Sequence, residues 1–237
     1  MKAMILAAGL GTRLKPFTDH HPKALALVNG KTLLQINIEY LKSYGIKDII
    51  VNVHHFASQI ENYLNEHQYF GINICISDER DEVLETGGGL KKAAWFFDDQ
   101  QAFLVMNVDI LTQMNLQKMM QFHAQEKPLA TLAVSDRKSS RCFLFNEQQV
   151  LCGWKNKNTD ETKMSLSSNI LFEKSFSGIH IIDPHIFSWI HQTGKFSIVD
   201  VYLALAKNHV IKSYDHSVEL LMDVGKPESI LEAEKYF

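Results

Sequence analysis

Through residue 109 the chain alternates short, apolar, β-rich runs with stretches of helical periodicity, and few folds can hold such a succession. Runs at 2–8, 48–54, 72–77 and 103–109 read as strands. Patterns at 33–44, 58–66 and 90–97 read as helices, the first capped by Thr32 and stopped by Gly45. Strands joined through helices run parallel and must be covered on both faces, which keeps them apolar throughout. The expected fold is therefore α/β and three-layered, with a mainly parallel, mixed, Rossmann-like sheet. Beyond residue 109 the pattern is less regular, with strands at 129–134, 142–146, 150–154 and 177–182 and helices at 198–207 and from Pro227. Residues 155–175 are polar and read as a surface loop. No repeat, low-complexity tract or linker interrupts residues 1–237, so one domain is expected.

Charge removes several classes of partner. Lys and Arg number 24 against 27 Asp and Glu, a net charge of −3 that gives no basic field for nucleic acid. Cysteines 75, 142 and 152 have no paired spacing, which fits reduced thiols and excludes a cysteine-rich zinc site. The opening MKAMILAAG is too short for a secretory leader, and no run approaches the ~20 apolar residues of a membrane span. A cytoplasmic protein is expected, as a monomer or small homo-oligomer with no membrane partner.

Phosphate binding must then come from a local site, and the loop after the first strand offers one. Gly9 and Gly11 let the backbone turn tightly and approach a ligand, so that its N–H groups can cradle phosphate oxygens. Arg13 adds a bidentate fork and Lys23 a mobile point charge. Two other phosphate loops fail on inspection. The dinucleotide fingerprint needs a glycine where Leu14 stands, and a Walker A loop ending at Gly30-Lys31-Thr32 would need one at Leu25. Asp109 closes an apolar strand and so faces the crevice where open α/β sheets bind ligands. Asp223, in Met222-Asp223-Val224-Gly225-Lys226-Pro227-Glu228, is a second carboxylate of interest; either can equally cap a turn. No Ser/His/Asp or Cys/His nucleophile pattern is present. His20-His21 and His54-His55 lack metal-ligand spacing, and Trp95-Phe96-Phe97 reads as core at a helix end.

The full run Gly9-Leu10-Gly11-Thr12-Arg13-Leu14-Lys15-Pro16-Phe17-Thr18, followed by Pro22-Lys23-Ala24-Leu25, resembles the signature of the sugar-1-phosphate nucleotidyltransferases. The resemblance extends to Asn107-Val108-Asp109 and to the Asp223–Glu228 segment, with Val108 in place of a small residue and Leu221 where a Trp is frequent. It implies the mixed sheet of the GT-A-like nucleotidyltransferase type and an enzyme that joins a sugar 1-phosphate to a nucleoside triphosphate, releasing pyrophosphate. It also implies roles by position. Ala8, Gly9, Gly11, Thr12, Arg13, Lys23, Gly88 and Asn107 would bind the nucleotide, with Arg13, Lys23 and Asp109 catalytic. Asp109 and Asp223 would hold Mg2+, and Glu85, Lys155 and Gly178 would lie beside the sugar. Asp78 or Glu79 would accept from a base amide. The segments at 50–53, 59–61 and 85–89 are most similar to the short branch that contains N-acetylmuramate 1-phosphate uridylyltransferases of cell-wall sugar recycling. Guanylyltransferases acting on mannose or heptose 1-phosphate, and a catalytically silent sensor of nucleotide sugars, are the alternatives. No C-terminal hexapeptide repeat is seen, so a bifunctional acetyltransferase is not expected.

Overall fold

The computed structural model describes all residues, 1–237. Its first half contains β1 (Ala3–Leu6), the short ribbon β2 (Leu27–Val28) and β3 (Lys31–Thr32), and helix α1 (Leu33–Ser43). There follow β4 (Asp48–Val53), α2 (Ala57–Glu66), β5 (Asn73–Asp78), α3 (Glu85–Lys92), β6 (Phe103–Asn107), β7 (Ile110–Thr112) and α4 (Leu116–Glu126). The second half has β8 (Ala130–Ser135), β9 (Arg141–Phe145), β10 (Leu151–Asn156), β11 (Glu161–Met164) and β12 (Phe172–Ile182). It closes with α5 (Ile198–Leu205), β13 (Ile211–Asp215), β14 (Leu221–Asp223) and α6 (Pro227–Ala233).

The sheet is mixed. Its parallel part runs β6-β1-β4-β5, as the βα alternation requires. The long strand β12 then pairs antiparallel with β6, β8 and β9, and β10 and β11 extend that antiparallel region. Successive strand residues point to opposite faces, and here both faces are buried. Ala3, Ile5, Ile49, Val51, Leu104 and Met106 join Leu34, Ile38, Ile60 and Met119 in a core under α1, α2 and α4. Met4, Ile50, Phe103 and Val105 point the other way, toward Leu90 of α3 and Val201 and Tyr202 of α5. This is the expected three-layer arrangement.

Two local expectations are overturned. Residues 155–175 are not a loop: β10 turns back as β11, and β12 already begins at Phe172. All four β11 residues are exposed, so this edge strand has no buried face and no hydrophobic alternation to betray it. The helix expected over 90–97 starts five residues earlier, at Glu85, and gives way to a 3-10 turn at Ala94–Phe96. Three of its residues are glycines, which are poor helix formers and mask the start. They are there for close approach. A Cβ on Gly88 would lie 2.3 Å from the Gly194 carbonyl oxygen, and one on Gly87 2.5 Å from the Phe196 ring.

Candidate active site

The carboxyl ends of β1, β4 and β6 open into a cavity of about 520 Å3, the crevice where ligands bind in such sheets. Ala8, Gly9, Gly11, Thr12, Arg13, Lys23, Glu85, Asn107 and Asp109 all line it, so most of the residues expected from sequence converge on one space.

The loop after β1 is held from below. Asn52, at the end of β4, accepts hydrogen bonds from the Ala7 N–H (2.7 Å) and the Ala8 N–H (3.3 Å). Its amide donates to Glu79 Oε1 at 2.8 Å. Glu79 is fully buried, and that burial pushes its carboxyl pKa up. It faces Asn52 and Gly89 rather than the cavity, so it serves the loop and not a bound base. Gly11 has φ +62°, in the left-handed region, and a Cβ there would meet Thr18 Cγ2 at 2.9 Å. Thr18 in turn donates its hydroxyl to the Gly11 carbonyl at 2.9 Å. Gly9 has open space where a side chain would be.

The two aspartates meet. Strand β14 pairs antiparallel with β7, placing Asp223 opposite Ile110, and the Val224 N–H donates to the Asp109 carbonyl at 2.7 Å. Asn37 of α1 anchors the same turn by donating to the Val108 carbonyl at 2.8 Å. Two cations face the two carboxylates. Lys23, 8 % exposed, contacts Asp109 Oδ2 through its ammonium, and Arg13 Nη2 stands 3.9 Å from Asp223 Oδ1. That oxygen is buried and has no hydrogen-bond partner. Gly225 makes the room: a Cβ there would lie 2.7 Å from Arg13 Nη2 and 2.8 Å from Asp223 Oδ1.

The opposite wall is made by the start of α3, with Val83, Glu85 and Thr86, and by Ser197 and Arg141. Glu85 opens α3 with φ +58°, a left-handed conformation that a non-glycine residue holds only at a cost of order 1 kcal/mol or more. Its carboxylate reaches toward Lys195 at 3.5 Å. Gly178 (φ +72°) sits where a Cβ would be 2.8 Å from Asn107 Nδ2. It therefore backs Asn107 instead of lining the cavity itself.

Four expected residues are absent from the cavity wall: Gly178, Asp223, which adjoins it through Arg13 and Gly225, and two that lie elsewhere, Gly88 and Lys155. The Gly88 N–H donates to the Phe196 carbonyl at 3.2 Å and its α-carbon is covered by Gly194, so helix packing has consumed it. Lys155, on the β10–β11 hairpin, lies 3.6 Å from Asp160 and 3.9 Å from Glu173 and is absent from the cavity wall. The sequence reading missed Asn52, Thr86, Arg141 and Ser197, which do line it. A polar residue closing the apolar run Ile49-Ile50-Val51 was the available signal for Asn52. Thr86 and Ser197 are read only from the packing, in which Thr86 Oγ1 accepts from the Ile198 N–H at 3.0 Å.

With this geometry fixed, comparison with known proteins is decisive. The profile of the Nucleotidyl transferase family matches residues 2–143, the segment carrying the loop, Lys23 and Asp109. The chain belongs to the nucleotidyl transferase family. It is 31 % identical over 242 residues to the N-acetylmuramate alpha-1-phosphate uridylyltransferase of Caulobacter vibrioides, covering 98 % of this chain and 95 % of that protein. Identity rises to 43 % over 115 residues with the enzyme of the same name from Neisseria meningitidis, over 48 % of this chain and 49 % of that one. In fold it matches a UDP-glucose pyrophosphorylase from Acinetobacter baumanii, with a TM-score of 0.79 and 18 % identity over 98 % of this chain and 91 % of the other. This nucleotidyltransferase has no helix long and apolar enough to cross a membrane.

Proposed function

We propose that this nucleotidyltransferase joins a nucleoside triphosphate to a sugar 1-phosphate, with UTP and N-acetylmuramate 1-phosphate, or a related hexose 1-phosphate, as its substrates. The observation that carries the reading is the convergence of Arg13, Lys23 and Asp109 on one cavity beside a glycine turn, with Asp223 3.9 Å behind Arg13 and next to the cavity residue Gly225. The choice of base and sugar leans on the full-length similarity to the Caulobacter vibrioides uridylyltransferase.

The attacking group is a phosphate oxygen of the sugar 1-phosphate. A phosphomonoester has a second pKa of about 6, so it is already mostly dianionic at neutral pH and needs no general base. It forms a bond to the α-phosphorus of the triphosphate as the bond to the bridging oxygen breaks, and pyrophosphate leaves carrying that electron pair. The obstacle is bringing two anions together. Arg13 and Lys23 offset the repulsion, and the N–H groups of the Gly9–Arg13 turn orient the triphosphate.

A divalent cation fits the remaining donors. Asp223 Oδ1 is a buried carboxylate oxygen without a hydrogen-bond partner, and Asp109 adjoins it at the end of the β7–β14 ladder. Two carboxylates, with no third acidic, His or Cys residue clustered beside them, suit Mg2+, which takes its other ligands from water and phosphate. When bound there, Mg2+ would neutralise phosphate charge and polarise the α-phosphate. Lys23 would then exchange its contact with Asp109 for one with phosphate.

Asp109→Asn and Asp223→Asn test the assignment. Each keeps the side-chain volume and is expected to lower pyrophosphate release at least 100-fold while the fold survives, with a lowered thermal midpoint for Asp109→Asn, which strips the buried Lys23 of its counter-charge. Full turnover in magnesium by either variant removes that residue from the site.

A further inference from the structure

Resting on that reading, we infer that Arg141 binds the phosphate of the sugar 1-phosphate. Arg141 is the first residue of β9, and its exposed side chain lines the same cavity as Asp109 and Arg13. Its backbone is fixed on both sides. Phe143 pairs with Lys174 of β12, Arg141 itself pairs with Asn156 of β10, and Ser139 Oγ bonds both its N–H and its carbonyl. The Phe143–Lys174 register brings Arg141 level with the stretch of β12 just before Gly178, where the ladder shifts register between Phe176 and His180. Gly178 packs on Asn107, so Arg141 enters the cavity from the wall that adjoins the end of β6.

Its charge is free. The other two cations at the cavity each face a carboxylate, Lys23 at Asp109 and Arg13 3.9 Å from Asp223, and the proposed reaction already uses both on the triphosphate. The Arg141 guanidinium makes no ion pair and no hydrogen bond with any other residue, although five N–H donors in a rigid fork suit a phosphate. Lys155 cannot take this part, because Asp160 and Glu173 hold it on the hairpin outside the cavity. A dianionic phosphate must nevertheless be brought against a triphosphate, and Arg141 is the one cation at the cavity wall without a counter-charge.

The experiment compares wild type, Arg141→Met and Arg141→Lys in pyrophosphate release. UTP is paired in turn with N-acetylmuramate 1-phosphate, which carries a carboxylate, and with N-acetylglucosamine 1-phosphate, which does not. Losing one charge-assisted, bidentate contact should raise KM for the sugar 1-phosphate about 10- to 100-fold, equally for whichever sugars turn over, with KM for UTP within twofold of wild type. Arg141→Lys should recover part of the loss, since it restores charge but not the fork. An unchanged KM for the sugar 1-phosphate overturns the proposal, and so does an equal rise in KM for UTP. A rise confined to the carboxylated sugar also overturns it, assigning Arg141 to that carboxylate instead. Absence of wild-type turnover with any triphosphate and sugar 1-phosphate pair would sink the underlying reading, and this proposal with it, whereas the other failures leave that reading intact.

Discussion

Asn52 makes the sharpest prediction, because one buried amide ties the phosphate loop to the sheet. Replacing it by Ala leaves the Ala7 N–H without its 2.7 Å acceptor, the Ala8 N–H without its longer one, and the Glu79 carboxylate without its donor. An orphaned buried group costs about 1–3 kcal/mol, and the bond to Glu79 belongs to the stronger, charge-assisted class. The longer Ala8 contact contributes least. The sum is about 3–5 kcal/mol, which a domain with a stability of about 5–15 kcal/mol survives. Equilibrium unfolding in urea should therefore show a folded variant with a lower midpoint and an unchanged slope. In pyrophosphate release, KM for the triphosphate should rise by at least tenfold, because the loop N–H groups are no longer held in place, while KM for the sugar 1-phosphate moves less. A loss below 1 kcal/mol together with an unaltered triphosphate KM would refute the idea that Asn52 positions the loop.

The glycines separate by environment. Gly9→Ala should leave stability within about 0.5 kcal/mol, since nothing lies within 4 Å of the new methyl, yet weaken triphosphate binding by filling ligand space; urea unfolding reads the first and calorimetric titration the second. Gly11→Ala meets a left-handed φ and the Thr18 methyl, so thermal unfolding should show a loss of about 1–2 kcal/mol. Glu79 supplies a pH signature. Burial raises its folded-state pKa, so the folded chain binds the extra proton. Stability from this group is full below the ordinary glutamate value of 4.5 and is lost as pH rises through the higher folded value. Glu79→Gln should flatten that fall in urea unfolding measured from pH 4 upward, and an unchanged slope would place the titrating group elsewhere.

The parts of the site legible in the sequence are those written in contiguous residues. The turn from Gly9 to Arg13, Lys23 after Pro22, and Asp109 at the end of an apolar strand each carry their position with them. Asp223 was identifiable from its motif, but its meeting with Asp109 depends on the pairing of β7 with β14, two short strands far apart in the chain. Lys155 was placed beside the sugar by resemblance alone; it stands on a hairpin whose outer strand is wholly exposed and has no periodicity to show it in the sequence. Gly88 was given to the ligand because a glycine signals close approach without saying to what; the partner is the Gly194–Phe196 segment, more than 100 residues on in the chain. Arg141 gave no signal at all. A single arginine in Ser139-Ser140-Arg141-Cys142 is ordinary until β9 and β12 bring it to the cavity.

The central claim is a transfer between two phosphates, and a matrix of the four nucleoside triphosphates against several sugar 1-phosphates, in magnesium, tests it most directly. Pyrophosphate should appear only when both substrates are present, with one nucleotide sugar identified by mass spectrometry and the highest rate for UTP with N-acetylmuramate 1-phosphate. Nucleotide binding without pyrophosphate release in any well would contradict catalysis and leave a chain that senses nucleotides rather than transferring them.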